Sequence, residues 1–187
     1  TDGNSQMLVA SYNGKVVRFP EDTVRPMGRT ATGVRAIKLD EDGKDRVVGM
    51  ICVEEGSKDS VLVISEKGYG KRTLLDDENG EPIYRITNRG GKGVKTMNIT
   101  DKTGNLIGLE AVNDDMDLML ITKAGTAIRM AMDAISVLGR ATQGVKLIEL
   151  QKRNDTLMFG CTVPKEEQEE VAESEEVTTE ETTTTEE

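Results

Sequence analysis

The chain has 187 residues, with 24 basic and 34 acidic side chains, two cysteines and no histidine. That length supports one ordinary core without disulfides. The missing histidine excludes imidazole metal ligation and histidine-based general catalysis.

In chain order, residues 1–6 read as a linker, and the first unit, residues 7–56, follows. It opens with Met7-Leu8-Val9-Ala10-Ser11, turns at Asn13-Gly14 and continues as Lys15-Val16-Val17-Arg18. Asn-Gly between apolar runs is a hairpin signal, because both residues tolerate positive φ. Next comes Gly28-Arg29-Thr30-Ala31-Thr32-Gly33-Val34-Arg35, then a predicted short strand, Ala36-Ile37-Lys38-Leu39, and a closing strand, Val47–Val53.

The second unit, residues 57–114, repeats this order. Its hairpin is Val61-Leu62-Val63-Ile64 with Glu66-Lys67-Gly68-Tyr69-Gly70-Lys71-Arg72. A polar excursion, Asp76–Pro82, precedes Arg89-Gly90-Gly91-Lys92-Gly93-Val94-Lys95. A short strand at Met97-Asn98-Ile99 and a closing strand at Leu106–Val112 complete it. The third unit, residues 115–164, has Leu118–Ile121, a turn at Lys123-Ala124-Gly125, then Thr126–Arg129. Met130–Ile135 could form a short helical turn. The unit ends with Gly139-Arg140-Ala141-Thr142-Gln143-Gly144-Val145-Lys146, a predicted strand at Leu147–Leu150 and a closing strand at Leu157–Val163.

The three units therefore share a frame, Arg-x-x-x-Gly-Val-(Arg/Lys), at one place in each. Gly14, Gly68 and Gly125 lie 54 and 57 residues apart, and Gly33, Gly93 and Gly144 lie 60 and 51 apart. A period near fifty residues with four short strands per unit predicts an all-β, propeller-like fold of three four-stranded blades. Each closing strand holds a mid-strand glycine, which marks a bulge or a close backbone approach. Cys52 and Cys161 sit in apolar runs and read as buried, reduced residues.

Residues 165–187 hold one lysine and eleven glutamates, leaving 23 basic and 23 acidic residues before them. Such a segment cannot bury enough surface to offset the entropy of ordering, so a disordered acidic tail is expected. No signal peptide or membrane span is visible, which makes cytoplasmic location the expectation. The opening at Thr1, without a start methionine, reads as an excised fragment.

No catalytic set is visible. The candidate chemistry is anion binding. Three glycines in Arg89–Gly93 allow a backbone to approach a ligand closely and to aim N–H groups at phosphate oxygens. Arg89, Gly90, Gly91, Lys92 and Lys95 form the strongest candidate set. Arg29, Arg35, Arg140 and Lys146 repeat its charges in the other units. The hairpins add Lys15 and Arg18, Lys71 and Arg72, and Lys123 and Arg129. Around an axis, these positions would fall on one rim that tracks duplex DNA.

The three-fold repeat, Glu66–Thr73 and Arg89–Gly93 resemble the C-terminal domain of bacterial DNA gyrase A. The last of these resembles the family's box, Gln-(Arg/Lys)-Arg-Gly-Gly-Lys-Gly, with Thr87-Asn88 in place of its first two residues. The resemblance covers residues 7–164. It implies a β-pinwheel, a propeller-like ring of blades that share strands and wrap DNA on the rim. It implies a role in ATP-dependent negative supercoiling, with gyrase B as partner in an A2B2 holoenzyme in the bacterial cytoplasm, associated with the nucleoid. The cleavage tyrosine, ATP and Mg2+ belong to other parts of that holoenzyme, so no cofactor and no membrane partner is expected here. Two alternatives stand: the equivalent domain of topoisomerase IV, which lacks the box, and a protein-binding propeller scaffold. Two readings of the acidic tail stand side by side: a competitor that occupies a basic rim in place of DNA, or a solubilising segment.

Overall fold

A computed structural model describes residues 3–165 apart from 42, 55 and 151–153. The predicted acidic tail, from 166 onward, lies outside the described residues. Eleven strands and two short 3-10 turns make up the described chain: β1 Gln6–Ser11, β2 Lys15–Pro20, β3 Val47–Val53, β4 Ser60–Ser65, β5 Tyr69–Leu74, β6 Val94–Lys95, β7 Leu106–Val112, β8 Met116–Thr122, β9 Ala127–Ala131, β10 Val145–Lys146 and β11 Leu157–Pro164. The turns are Glu21–Thr23 and Met132–Ala134, the second inside the segment left open between strand and helix.

Each unit begins with the expected hairpin. β1 pairs with β2, β4 with β5 and β8 with β9, all antiparallel. Each turn closes on a glycine of positive φ: Gly14 at 78°, Gly68 at 79° and Gly125 at 84°. The closing strands β3, β7 and β11 pair on the other side of β1, β4 and β8. β1 and β4 are buried along their full length, with no in-out alternation. They lie between two other strands and carry packed residues on both faces, so apolar residues run continuously.

The fourth strand of a blade comes from the next unit. The sheets are ordered β3-β1-β2-β6, β10-β5-β4-β7 and β11-β8-β9. Thus Val94–Lys95 of the second unit completes the first sheet, and Val145–Lys146 of the third completes the second. The segments 36–39, 97–99 and 147–150, predicted as strands, are irregular; in the second and third units pairing is confined to Val94–Lys95 and Val145–Lys146, and in the first the corresponding Val34–Arg35 is unpaired among the described residues.

The sheets stack face to face. Leu8, Ala10, Val16 and Ile51 of the first meet Val61, Val63, Tyr69 and Leu109 of the second. Leu62 and Ile64 of the second meet Leu118 and Leu120 of the third, sealed by Met132 and Ile135. The far face of the first sheet, Met7, Val9, Val17 and Phe19, is covered by its own unit through Ile37, Val24 and Leu39. The bulges fall where the closing strands carry glycine: Ala10 faces Gly49 and Ser11 faces Val47, while Ile64 faces Gly108 and Ser65 faces Leu106. A Cβ on Gly49 would lie 3.1 Å from Leu109 of the next blade. In β11 the register is one residue out: Phe159 faces Ile121 and Gly160 faces Leu120. Gly160 instead makes room for Ile64.

Candidate nucleic-acid interface

β3 packs against β7 and β7 against β11, which places these strands innermost and the borrowed strands β6 and β10 on the outside. The frame glycines set the turns that lead into them. A Cβ on Gly93 would lie 2.5 Å from the Val16 carbonyl oxygen, and one on Gly144 would lie 2.7 Å from that of Gly70. Both have positive φ, 70° and 79°. Only glycine lets the donated chain come this close to the receiving strand. The other end of each turn is fixed alike. The Thr87 amide donates to the Arg18 carbonyl, and the Leu138 amide to that of Arg72, each at 2.8 Å.

Arg89–Gly93 and Arg140–Gly144 are therefore equivalent turns on neighbouring outer edges. Each rests on the stretch that follows the preceding frame. The Lys38 amide donates to the Gly91 carbonyl at 2.8 Å, and the Asn98 amide to that of Thr142 at 3.0 Å. This links residues 29–38, 89–98 and 140–146 into one continuous track. Arg140 reinforces it, donating through Nη1 to the Lys95 carbonyl at 2.7 Å.

The cations named from sequence divide into two groups. Arg29, Arg35, Arg89, Lys92 and Lys95 are exposed on this track, and Arg140 is half-buried on it. Arg89 donates through Nε to the Thr23 carbonyl, and Lys95 reaches the Asn98 side chain at 3.5 Å. Gly90 and Gly91 are half-buried, and the Gly90 amide is turned inward to the Ala36 carbonyl at 2.6 Å. That donor is engaged, contrary to a turn offering all its amides to a ligand.

The hairpin cations do not form a second exposed row. Arg18 is 5% exposed, and its Nη1 donates to the carbonyls of Leu75 and Tyr84, both at 3.3 Å, and to Asp76 at 2.8 Å. Arg72 is 7% exposed and binds the Ile135 carbonyl and Asp114. Lys71 is fully buried under the third turn. These three cannot touch a DNA backbone in this conformation. Most of their partners lie on loops of the following unit, brought over by the strand exchange. Arg129 binds Asp117 at 2.7 Å and the Pro164 carbonyl at 2.9 Å. Lys15 is paired with Asp40 at 2.5 Å, and Lys146 with Glu149 at 2.6 Å, which holds the Lys146 ammonium above its ordinary pKa. Lys123 is exposed.

Beside the Arg89 turn lies a cleft of about 170 Å³, lined by Arg18, Arg85, Thr87, Asn88, Gly91 and Lys92. Arg85 is exposed and was passed over in the sequence, because it lies before the Arg-x-x-x-Gly frame. The available signal was Arg25, at the equivalent place in the first unit and also exposed.

A family profile described as DNA gyrase C-terminal domain, beta-propeller, matches residues 6–54, 59–113 and 117–159. The chain belongs to this family. It is 47% identical over 150 residues to the DNA gyrase A protein of Staphylococcus aureus strain MRSA252, and equally to that of strain NCTC 8325. The match takes in 80% of this chain and 16% of the relatives, so the chain spans about a sixth of their length. A solved structure of a DNA gyrase A C-terminal domain superposes with TM-score 0.73 and 26% identity, over 85% of this chain and 50% of that one. A C-terminal domain of DNA topoisomerase IV gives TM-score 0.77 at 19% identity, over 88% of this chain and 48% of the other, which shows the shared fold.

The two cysteines of this gyrase-family domain depart from the sequence reading. Cys52 is exposed and Cys161 half-buried, so neither is a core residue. Cys52 pairs across from Met7 on the far face of the first sheet, beyond the cover supplied by Ile37, where Met50 is also exposed. Among the described residues no helix is long and apolar enough to cross a membrane, and no group of three or more His, Cys, Asp or Glu could hold a metal.

Proposed function

We propose that the outer track binds the phosphate backbone of duplex DNA and bends it, as the wrapping domain of a gyrase-type topoisomerase. The observation that carries this reading is the linked series of turns. They present Arg29, Arg35, Arg85, Arg89, Lys92 and Lys95 on successive outer edges, while Arg18, Lys71 and Arg72 are spent inside the fold. Contacts to phosphate position a protein without reading sequence, which fits a surface of arginine and lysine without inserted aromatics.

In this reading the longer protein introduces negative supercoils with ATP, works with gyrase B in an A2B2 assembly, and acts in the cytoplasm. Cleavage and nucleotide chemistry reside outside this chain. Gyrase is preferred to topoisomerase IV because of the sequence identity to gyrase A proteins and the Arg89–Gly93 turn. Exposed apolar residues on the track are single side chains, Ile86 and Val137, each among the turn cations, while Phe159 and Ile121 pair on the far face of the third sheet, which disfavours a scaffold that binds proteins with its rim.

The test is a titration of Arg89→Ala with Lys92→Ala against duplexes of unrelated sequence. Affinity falls equally for all of them, and the slope of log affinity against log salt becomes shallower by about 2. Unchanged affinity and slope would remove the role given to this turn.

A further inference from the structure

Lys71 is a fully buried cation that direct DNA binding leaves unused. It stands on β5, where the first blade has Val17 and the third has Ile128, so the hairpin itself does not require charge here. Its ammonium lies under the third turn and donates to the carbonyls of Gly139 and Arg140, each at 2.6 Å, and to Thr142 Oγ1 at 3.1 Å. Three acceptors match the three N–H bonds of an ammonium.

The two turns of the track explain why a cation is needed at one and not the other. In the second unit, Gly90 has φ of 80° and sends its amide inward to Ala36, and Gly91 accepts from Lys38. In the third unit Ala141 and Thr142 stand at the corresponding places. Ala141 has no positive φ, and of the two backbone bonds only the one from Asn98 to Thr142 is present among the described residues. The turn without the glycine pair thus lacks one anchor, and Lys71 fills the gap from beneath, using the Thr142 hydroxyl as a third contact.

We propose that Lys71 is a positioning residue of the DNA-binding track: its buried ammonium draws the Gly139 and Arg140 carbonyls inward and so holds Arg140 on the outer edge toward the phosphate backbone. The inference rests on the reading of the track as a DNA surface. It adds that one turn is governed by a proton. A neutral amine has two N–H bonds and a lone pair, so it cannot satisfy three oxygens. Burial, with the nearby Arg140 charge, lowers the Lys71 pKa to about 8. Tyr69 stands two residues before it on β5, and Tyr84, in the loop after β5, feels the same Arg140 charge. Tyr84 is raised above its ordinary value by burial, and its hydroxyl shares a hydrogen bond with Thr96.

The signs are opposed and can be separated. Between pH 7 and 9 the ammonium is lost, the turn is released and DNA affinity falls. Over the same range, up to the ordinary lysine value, the unfolded chain binds more protons than the folded one. The Lys71 contribution to stability therefore rises with pH. Weaker binding at pH 9 is then not unfolding.

The experiment measures duplex affinity and salt slope of the 187-residue chain at pH 7 and 9, with circular dichroism at both. Wild type loses about three- to fivefold in affinity and about 1 in slope over this range, as for one phosphate contact. Lys71→Met shows the weakened values already at pH 7 and no change to pH 9. Lys71→Val with Ala141→Gly and Thr142→Gly transplants the glycine-based anchor, restores affinity at pH 7 and stays flat to pH 9. A wild-type profile without a step, or Lys71→Met behaving as wild type, overturns the proposal. Arg140→Ala distinguishes the two levels. If it leaves binding unchanged, the track reading fails at this turn and the inference falls with it. If it weakens binding while Lys71→Met does not, only the positioning role falls.

Discussion

Gly33, Gly93 and Gly144 hold one position of the repeat, all with positive φ, yet a side chain would meet very different surroundings at each. At Gly93 a Cβ would lie 2.5 Å from the Val16 carbonyl oxygen; at Gly33 nothing lies within 4 Å. The same substitution therefore separates two costs that are usually mixed. Gly33→Ala carries the backbone penalty of a left-handed residue alone, about 1–2 kcal/mol. Gly93→Ala carries that penalty and a clash with backbone that cannot yield without breaking the β2–β6 pairing, for a total of about 3 kcal/mol or more. Urea denaturation of the two variants would show the difference in midpoint; equal losses would mean that strand donation does not constrain Gly93. The frame itself was legible in the sequence as a repeated glycine. Its reason was not, because the atoms that forbid a Cβ belong to a strand of the preceding unit.

At the scale of the element, the unit of construction is a hairpin plus a borrowed dipeptide and the arginine that ties them together. Arg18 and Arg72 each reach from the second hairpin strand of one blade into the loop of the next unit. Arg129, at the same place, turns back to Asp117 and Pro164 of its own unit. Removing Arg18 leaves the Leu75 and Tyr84 carbonyls buried without that donor and should cost about 2–3 kcal/mol. Arg129→Ala leaves the buried Asp117 carboxylate without this partner and should cost a similar amount, but within one unit. A double-mutant cycle followed by thermal melts tests the difference: Arg18→Ala couples to Asp76→Ala across the unit boundary by about 1 kcal/mol, and no coupling would deny that the arginine joins blades. The hairpins, turn glycines and closing strands were readable because their signals are local. The strand exchange was not readable from residues alone, since a Val-Lys dipeptide carries no periodicity and its pairing is decided by the neighbouring unit. The misreading of Arg18, Arg72 and Lys71 as surface cations follows from the same cause. Spacing places them beside a turn, while burial depends on what the next unit lays over them.

Across the whole molecule the question is how a chain of net charge −10 would present the proposed surface to DNA. The answer lies in pairing rather than in net charge. Lys15 and Lys146 face carboxylates, and Arg18 and Arg72 are used internally, whereas Arg35, Arg85 and Lys92 stand exposed along adjoining outer turns, without an ion pair among the described residues. Bending a duplex across such a surface costs several kcal/mol by elastic estimates, while one exposed cation on one phosphate returns little. Binding must then be spread over many similar contacts, and each should register in the salt dependence. Arg35→Ala, Arg85→Ala and Lys92→Ala are each expected to reduce the salt slope by about 1, on duplexes of any sequence. Lys15→Ala should leave the slope nearly unchanged, because that charge is already neutralised by Asp40. Fluorescence anisotropy at a series of salt concentrations reads all four. A slope lost almost wholly in one variant would point to a single anion site at the cleft beside Lys92. Comparable losses in the three exposed cations, with none at Lys15, would fit a track whose continuity comes from each turn resting on the backbone behind the last.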